Sequence, residues 1–151
     1  FENMPKKEQE LNDSILPPPL IDAYKKTNFD VLATPSFTLN VASYSADLKL
    51  LHERHRVESS CFITAYNPYS KELKPDQNSA AQHKLMETLL GLDFEVLEGL
   101  GSDPTGEWEG EPSFFVLGIS ILQSKALGNE FKQNAIVWCD KGCIPELLLL
   151  R

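Results

Sequence analysis

Ser60-Cys61-Phe62-Ile63-Thr64-Ala65-Tyr66-Asn67-Pro68-Tyr69-Ser70 is the stretch on which the fold turns. Residues 60–66 carry no charge and place apolar side chains at successive positions. A strand with one wet face would alternate, so this run predicts a central strand buried on both faces. Asn67-Pro68-Tyr69-Ser70 then has the composition of a turn. Beyond it a helix is expected from about Pro75-Asp76, with Ala81, Leu85 and Leu89 on one face and Gly91 as its left-handed stop.

Working upstream, Ser45 reads as an N-cap with Asp47 in the first turn, and Leu48, Leu51, His52 and His55 share one helical stripe. Phe29–Ala33 and Phe37–Val41 partly alternate around Thr34-Pro35-Ser36 and predict an antiparallel hairpin. Pro17-Pro18-Pro19 stiffens the entry to a first helix carrying Leu20, Ile21, Ala23 and Tyr24 and ending at Lys25-Lys26. Downstream, Phe94–Leu97 reads as a strand and Gly99–Gly110 as a long glycine-rich loop, of the kind that tends to be functional. Pro112–Gly118 returns to strand. Ser120 and Gln123 form a capping box before a helix whose apolar face is Leu122, Ala126, Leu127 and Phe131, with Gly128 weakening its last turn. Asn134–Cys139 and Ile144–Leu150 are expected to pair across Asp140-Lys141-Gly142. The order predicts an α+β (mixed α/β) fold: a single mixed, partly antiparallel sheet packed with about four helices. Residues 1–16 are expected to be a flexible N-terminal arm, Phe1–Asn3 being a tag remnant before a native start at Met4. Residues 17–151 form a single mixed α/β domain.

Of 151 residues, 42% are hydrophobic, 14 are Lys or Arg and 22 are Asp or Glu, for a net charge of −8. That is enough apolar material for one core without metals or disulfides. The acidic balance disfavours general nucleic-acid binding and docking on anionic membrane. No apolar run reaches the ~20 residues of a membrane span. Cys61, Cys139 and Cys143 read as free thiols, with a Cys139–Cys143 pair across the turn as the less favoured alternative.

Three polar groupings carry the candidate chemistry. Asn67, Ser70 and Asn78 gather at a strand-to-helix junction, where amides and hydroxyls can orient a polar ligand or simply satisfy turn amides. Asn78 stands out as a poor helix former with no evident packing purpose. Trp108, Glu111 and Ser113 set an indole, a carboxylate and a hydroxyl at a strand entrance; Glu111 can act as a general base or take a ligand amine. Gln133 and Asn134 sit where a helix hands over to a strand, able either to read a ligand or to close the helix end. The acids of the glycine-rich loop match no calcium-loop spacing, and His52-x-x-His55 lacks a third ligand, so no metal site is expected.

Taken in order, Thr64–Ser70, Asn78, Gly101-x-x-Pro104, Trp108, Glu111, Ser113 and Leu127-Gly128-x-x-Phe131-x-Gln133-Asn134-Ala135 resemble a family of small bacterial proteins, the domain of unknown function three-two-nine-three. The resemblance covers about Leu20 to Arg151. It implies a cytoplasmic bacterial protein, no known cofactor and no established activity. It also implies a basic residue four positions after the helix asparagine, where this chain has Gln82. The function expected from all of this is a small cytosolic binding domain for a small polar ligand or nucleotide. Its site would be Asn67, Ser70, Asn78, Glu111, Ser113 and Gln133, with Trp108 as lid or stacking surface. The alternatives are a hydrolase or transferase with Glu111 as general base, with or without a metal's assistance, and a protein-interaction module whose partner is unknown.

Overall fold

The computed structural model describes residues 13–151. The arm expected over 1–16 therefore lies outside the described residues as far as position 12. Of its last residues, Leu16 is buried, and the Ser14 hydroxyl donates to the Arg151 carbonyl at 2.6 Å.

The elements follow the expected order. They are α1 (Pro18–Lys26), β1 (Asn28–Val31), β2 (Phe37–Leu39), α2 (Ala46–His55), β3 (Ser60–Ile63), a 3₁₀ turn (Pro68–Ser70), α3 (Pro75–Gly91), β4 (Glu95–Ser102), β5 (Glu111–Leu117), α4 (Ile121–Glu130), β6 (Ala135–Cys139) and β7 (Glu146–Leu149). The fold is α+β, with four helices and one curled seven-stranded sheet among the described residues. The strands lie in the order β2-β1-β4-β5-β3-β6-β7. Every pairing is antiparallel, so the sheet is less mixed than the pattern suggested. Among the described residues no helix is long and apolar enough to cross a membrane.

The N-terminal caps act where the sequence puts them, but Gly91 is not the left-handed stop of α3: it is the helix's last residue, and the positive φ falls at Asp93 (62°). The Ser45 hydroxyl accepts from the Leu48 amide at 3.1 Å, and Ser120 and Gln123 close a reciprocal capping box. Each cap satisfies helix N–H groups that have no intrahelical partner.

Strand periodicity divides the core in two. Cys61 and Ile63 of β3 face one way, with Phe114 and Val116 of β5, and pack under α3 and α4 through Leu85, Leu89 and Leu127. Phe62 and Phe115 face the other way, with Phe29 and Val31, and pack under α2 through Leu48 and Leu51. All four residues of β3 are buried, as a strand covered on both faces requires. Each large apolar side chain buried here is worth roughly 1.5–3 kcal/mol.

Three expectations give way. The loop read from Gly99 is shorter, because β4 runs on to Ser102 and pairs with β1 and β5 across Gly99 and Gly101. Glycine marks close approach here, not a turn: a Cβ on Gly99 would stand 2.6 Å from the Phe62 ring. Leu122 is exposed, and α4 instead buries Ser124, Leu127 and Gly128. Gly128 is the contact point of that helix, since a Cβ there would lie 2.4 Å from Leu150 Cδ1 and 3.0 Å from Ile136 Cγ2.

The cysteines are all free and buried. His52 is buried too, sharing a 2.7 Å hydrogen bond with Ser60 while Cys143 Sγ lies 3.7 Å from its other ring nitrogen. Burial holds His52 below the usual imidazole pKa, against the raising effect of Asp140.

Candidate functional site

The second sheet face is not filled along its whole length. The register sets Phe29, Gly101 and Glu111 in one cross-strand row and Val31, Gly99 and Ser113 in the next. The Phe62 ring occupies the space above Gly99. Above Gly101 a Cβ would meet nothing closer than 3.9 Å. The missing side chain opens a cavity of about 880 Å³, floored by Phe29, Phe62 and Val137 and bounded by Leu20, Ala23 and Tyr24 of α1. Asn67, Ser70, Asn78, Trp108, Glu111, Ser113 and Gln133, the seven candidate residues, all line this one cavity.

Asn67 organises its polar end. The residue is left-handed (φ 45°), as are Tyr69 and Ser70. Asparagine tolerates that region better than most residues, and neighbours hold the turn in place. The Asn67 amide N–H donates to Asn78 Oδ1 at 2.8 Å, and Asn78 Nδ2 returns a bond to Asn67 Oδ1 at 2.8 Å. The Leu73 amide adds a second donor to Asn67 Oδ1, and the Tyr69 amide reaches the Lys132 carbonyl. Asn67 Nδ2 is left pointing at Glu111 Oε2, 3.4 Å away. Asn78 thus has a structural purpose after all: 5% exposed and bonded to Asn67 twice, it sets the conformation of the turn.

Glu111 is the chemically distinctive group. It opens β5, half-buried at the cavity wall. Burial pushes its carboxyl up to about 7, and the Asn67 amide only partly opposes the rise. Ser113 is buried, and its hydroxyl donates back to the Glu111 carbonyl at 3.0 Å, which commits it to the backbone. Gln133 is 8% exposed; its Nε2 donates to the Phe131 and Tyr66 carbonyls, closing the end of α4 and tying it to the Asn67 turn. The same side chain closes a helix and borders the cavity. Ser70 shares a 2.6 Å hydrogen bond with Tyr24 of α1 and accepts from Asn134 Nδ2 at 2.9 Å. Trp108 is 39% exposed at the rim. Its loop is folded around Asp103, which accepts from Thr105 and the Glu107 amide.

Several contributing residues were not singled out as site residues from sequence. Tyr24, on the apolar stripe of α1, and Thr27, just past its end, both line the cavity; the phenol within that stripe is the available signal. Gln82 stands where the resemblance implied a basic residue. Its Oε1 accepts from the Ala65 amide at 2.9 Å and its Nε2 donates to the Pro112 carbonyl at 3.2 Å. It clasps the ends of β3 and β5 where proline has no N–H to offer a ladder. His83 lies in solvent beside Glu87, away from the turn. Among the described residues no three His, Cys, Asp or Glu side chains converge as a metal-ligand set.

No curated protein and no solved structure matches the chain. The family match is narrower than the span from Leu20 to Arg151, yet it includes the Asn67 turn, α3, the Trp108 loop and Gln133. Residues 63–136, the segment that supplies all seven candidate side chains, match the family model described as protein of unknown function (DUF3293).

Proposed function

We propose that this protein is a small-molecule binding domain whose site is the cavity under α1. The observation that carries the reading is the Glu111 carboxyl, lifted by burial and set into the wall of a cavity with an apolar floor. Cavities of this size with few, convergent polar groups are the usual form of ligand sites. The floor suits an apolar ligand body, and Glu111 with its neighbours suits a polar head. Among the described residues four glutamates and no lysine, arginine or histidine line the cavity, which argues against the phosphates of a nucleotide.

The runner-up reading is catalysis by the same residue. A carboxyl with a pKa of about 7 is matched to proton transfer at neutral pH, and this supports Glu111 as a general base in a hydrolase or transferase. The test of both is a thermal-shift screen of a diverse metabolite library on the wild type and on Gly101→Leu, whose added side chain grows into the cavity. Compounds that stabilise the wild type and not Gly101→Leu support the site. Conversion of such a compound, lost in Glu111→Gln, favours the enzyme. A library that stabilises neither protein, or both equally, ends the cavity reading.

A further inference from the structure

The hydrogen bonds already made around the cavity state what remains for a ligand, granted that the cavity is the binding site. The donors around Asn67 and Ser113 are largely spent, while the Tyr66 hydroxyl and the Trp108 indole N–H at the aromatic side of the cavity have no partner among the described residues. Asn67 Nδ2 is used on Glu111, the Ser113 hydroxyl on the Glu111 carbonyl, and the Thr64 hydroxyl on the Pro112 carbonyl. Tyr24 and Ser70 spend one hydroxyl hydrogen on each other. The acceptors are not spent. Gln133 gives its amide N–H groups to two carbonyls, so its orientation is fixed and its Oε1 keeps no donor among the described residues. Glu111 Oε1 likewise has none.

A buried side chain with a free acceptor, in a cavity it shares with a carboxylate and that no basic residue lines among the described residues, calls for donors brought from outside. Trp108 and Tyr66 border the same space and offer aromatic faces, which attract cations. We infer that the ligand is an organic cation with at least two N–H donors, an amidine, guanidine or primary amine, carried on an apolar body that rests on Phe29 and Phe62. Glu111 and Gln133 Oε1 are its acceptors, and Trp108 closes over it.

Such a cation favours the ionised carboxylate. Since Glu111 is held up at about 7, binding releases a proton and weakens as the pH falls, by about tenfold at pH 6 relative to pH 8. An amidine stays charged throughout that range, so the pH dependence reports the protein.

The experiment is calorimetric or NMR titration with benzamidine, benzamide and benzoate. These share one ring and differ in charge and in donors. The wild type, Glu111→Gln and Gly101→Leu are compared, each first checked by a thermal melt. The expected result is benzamidine bound at least tenfold more tightly than benzamide, with benzoate weakest. Glu111→Gln should bring benzamidine down to the level of benzamide, and Gly101→Leu should abolish all three. Benzamide or benzoate binding as well as benzamidine, or benzamidine indifferent to Glu111→Gln, overturns the cation assignment. So does failure of benzamidine where neutral or anionic library compounds bind in a Gly101→Leu-sensitive way. In each of these cases the cavity reading survives. If neither these probes nor any library compound binds in that way, the cavity reading itself falls.

Discussion

Replacing Glu111 by Gln keeps the shape of the side chain and an acceptor for Asn67 while removing the titration. The wild-type carboxyl rises from 4.5 to about 7 because folding takes it out of water. Below pH 4.5 it is protonated in the folded and unfolded chains alike and the shift has no effect. As the pH climbs from 4.5 to about 7, the unfolded chain releases a proton that the folded chain retains, and stability falls. Above 7 both are ionised and the full penalty stands. At about 1.4 kcal/mol per unit of pKa the ceiling is about 3 kcal/mol. Glu111 is only half-buried and its cavity reaches solvent, so screening brings the expected figure to about 1–2 kcal/mol. Glu111→Gln should therefore be more stable than the wild type at pH 8 by that amount, and equal to it at pH 4. The gain corresponds to roughly 2–4 °C in Tm per kcal/mol for a chain of this size. Urea melts of both proteins at half-unit steps from pH 4 to 8 give the difference curve directly, and His52, which titrates in both, cancels from it. A difference that is flat with pH, or a variant less stable than the wild type at pH 8, would refute the claim that burial lifts this carboxyl.

The remaining expectations follow from the same contacts. Asn78→Ala leaves the Asn67 amide and side chain without two bonds in a buried place, and should cost about 2–3 kcal/mol in a urea melt; a loss under about 0.5 kcal/mol would mean that the turn holds itself. Gly99→Ala and Gly101→Ala make an internal control on one strand. The first pushes a methyl into the Phe62 ring and should cost about 1–3 kcal/mol, whereas the second makes only ordinary van der Waals contacts and should stay within about 1 kcal/mol of the wild type, so equal effects would contradict the placement of the cavity. His52 acts in the opposite sense to Glu111. Its pKa is lowered by folding, so the unfolded chain takes up the proton first and stability falls as the pH drops below 6.5; His52→Gln, which can still bond Ser60, should show a shallower fall between pH 7 and 5.

How far the sequence could be read depended on whether a residue's role was local. Caps, hairpins and the buried β3 depend on neighbours within a few positions, and Ser45, Ser120, Gln123 and residues 60–63 reveal them. Gly99, Gly101 and Gly128 deceive because glycine has two uses. In a turn it supplies backbone freedom. In a strand or helix it lets another element come close or leaves a gap, and only the position of the Phe62 ring and of Leu150 tells which. Spacing held a clue in retrospect: Gly99 and Gly101 are two apart, so both lack a side chain on the same sheet face. Leu122 shows the opposite failure, an apolar residue at helical spacing that no second element covers among the described residues.

The site itself divides along the same line. Residue type predicted which side chains would gather, because amides, hydroxyls and an acid at strand ends and helix starts share one end of the sheet. It could not tell side chains whose bonds are all committed within the protein from those that keep an atom open. Asn78 and Ser113 are as polar as Glu111 and Gln133, yet their bonds are committed within the protein, to Asn67 and to the Glu111 carbonyl. Glu111 Oε1 and Gln133 Oε1 remain open only because Asn67 Nδ2 stands on the other carboxylate oxygen and two carbonyls take the Gln133 amide hydrogens. Which hydrogen bonds are already satisfied is a property of three dimensions, and it decides the chemistry a ligand must bring. An asparagine inside a helix, or a glutamine at its end, marks a place where the backbone needs help. Whether it also serves a ligand depends on which of its atoms the backbone has left unused.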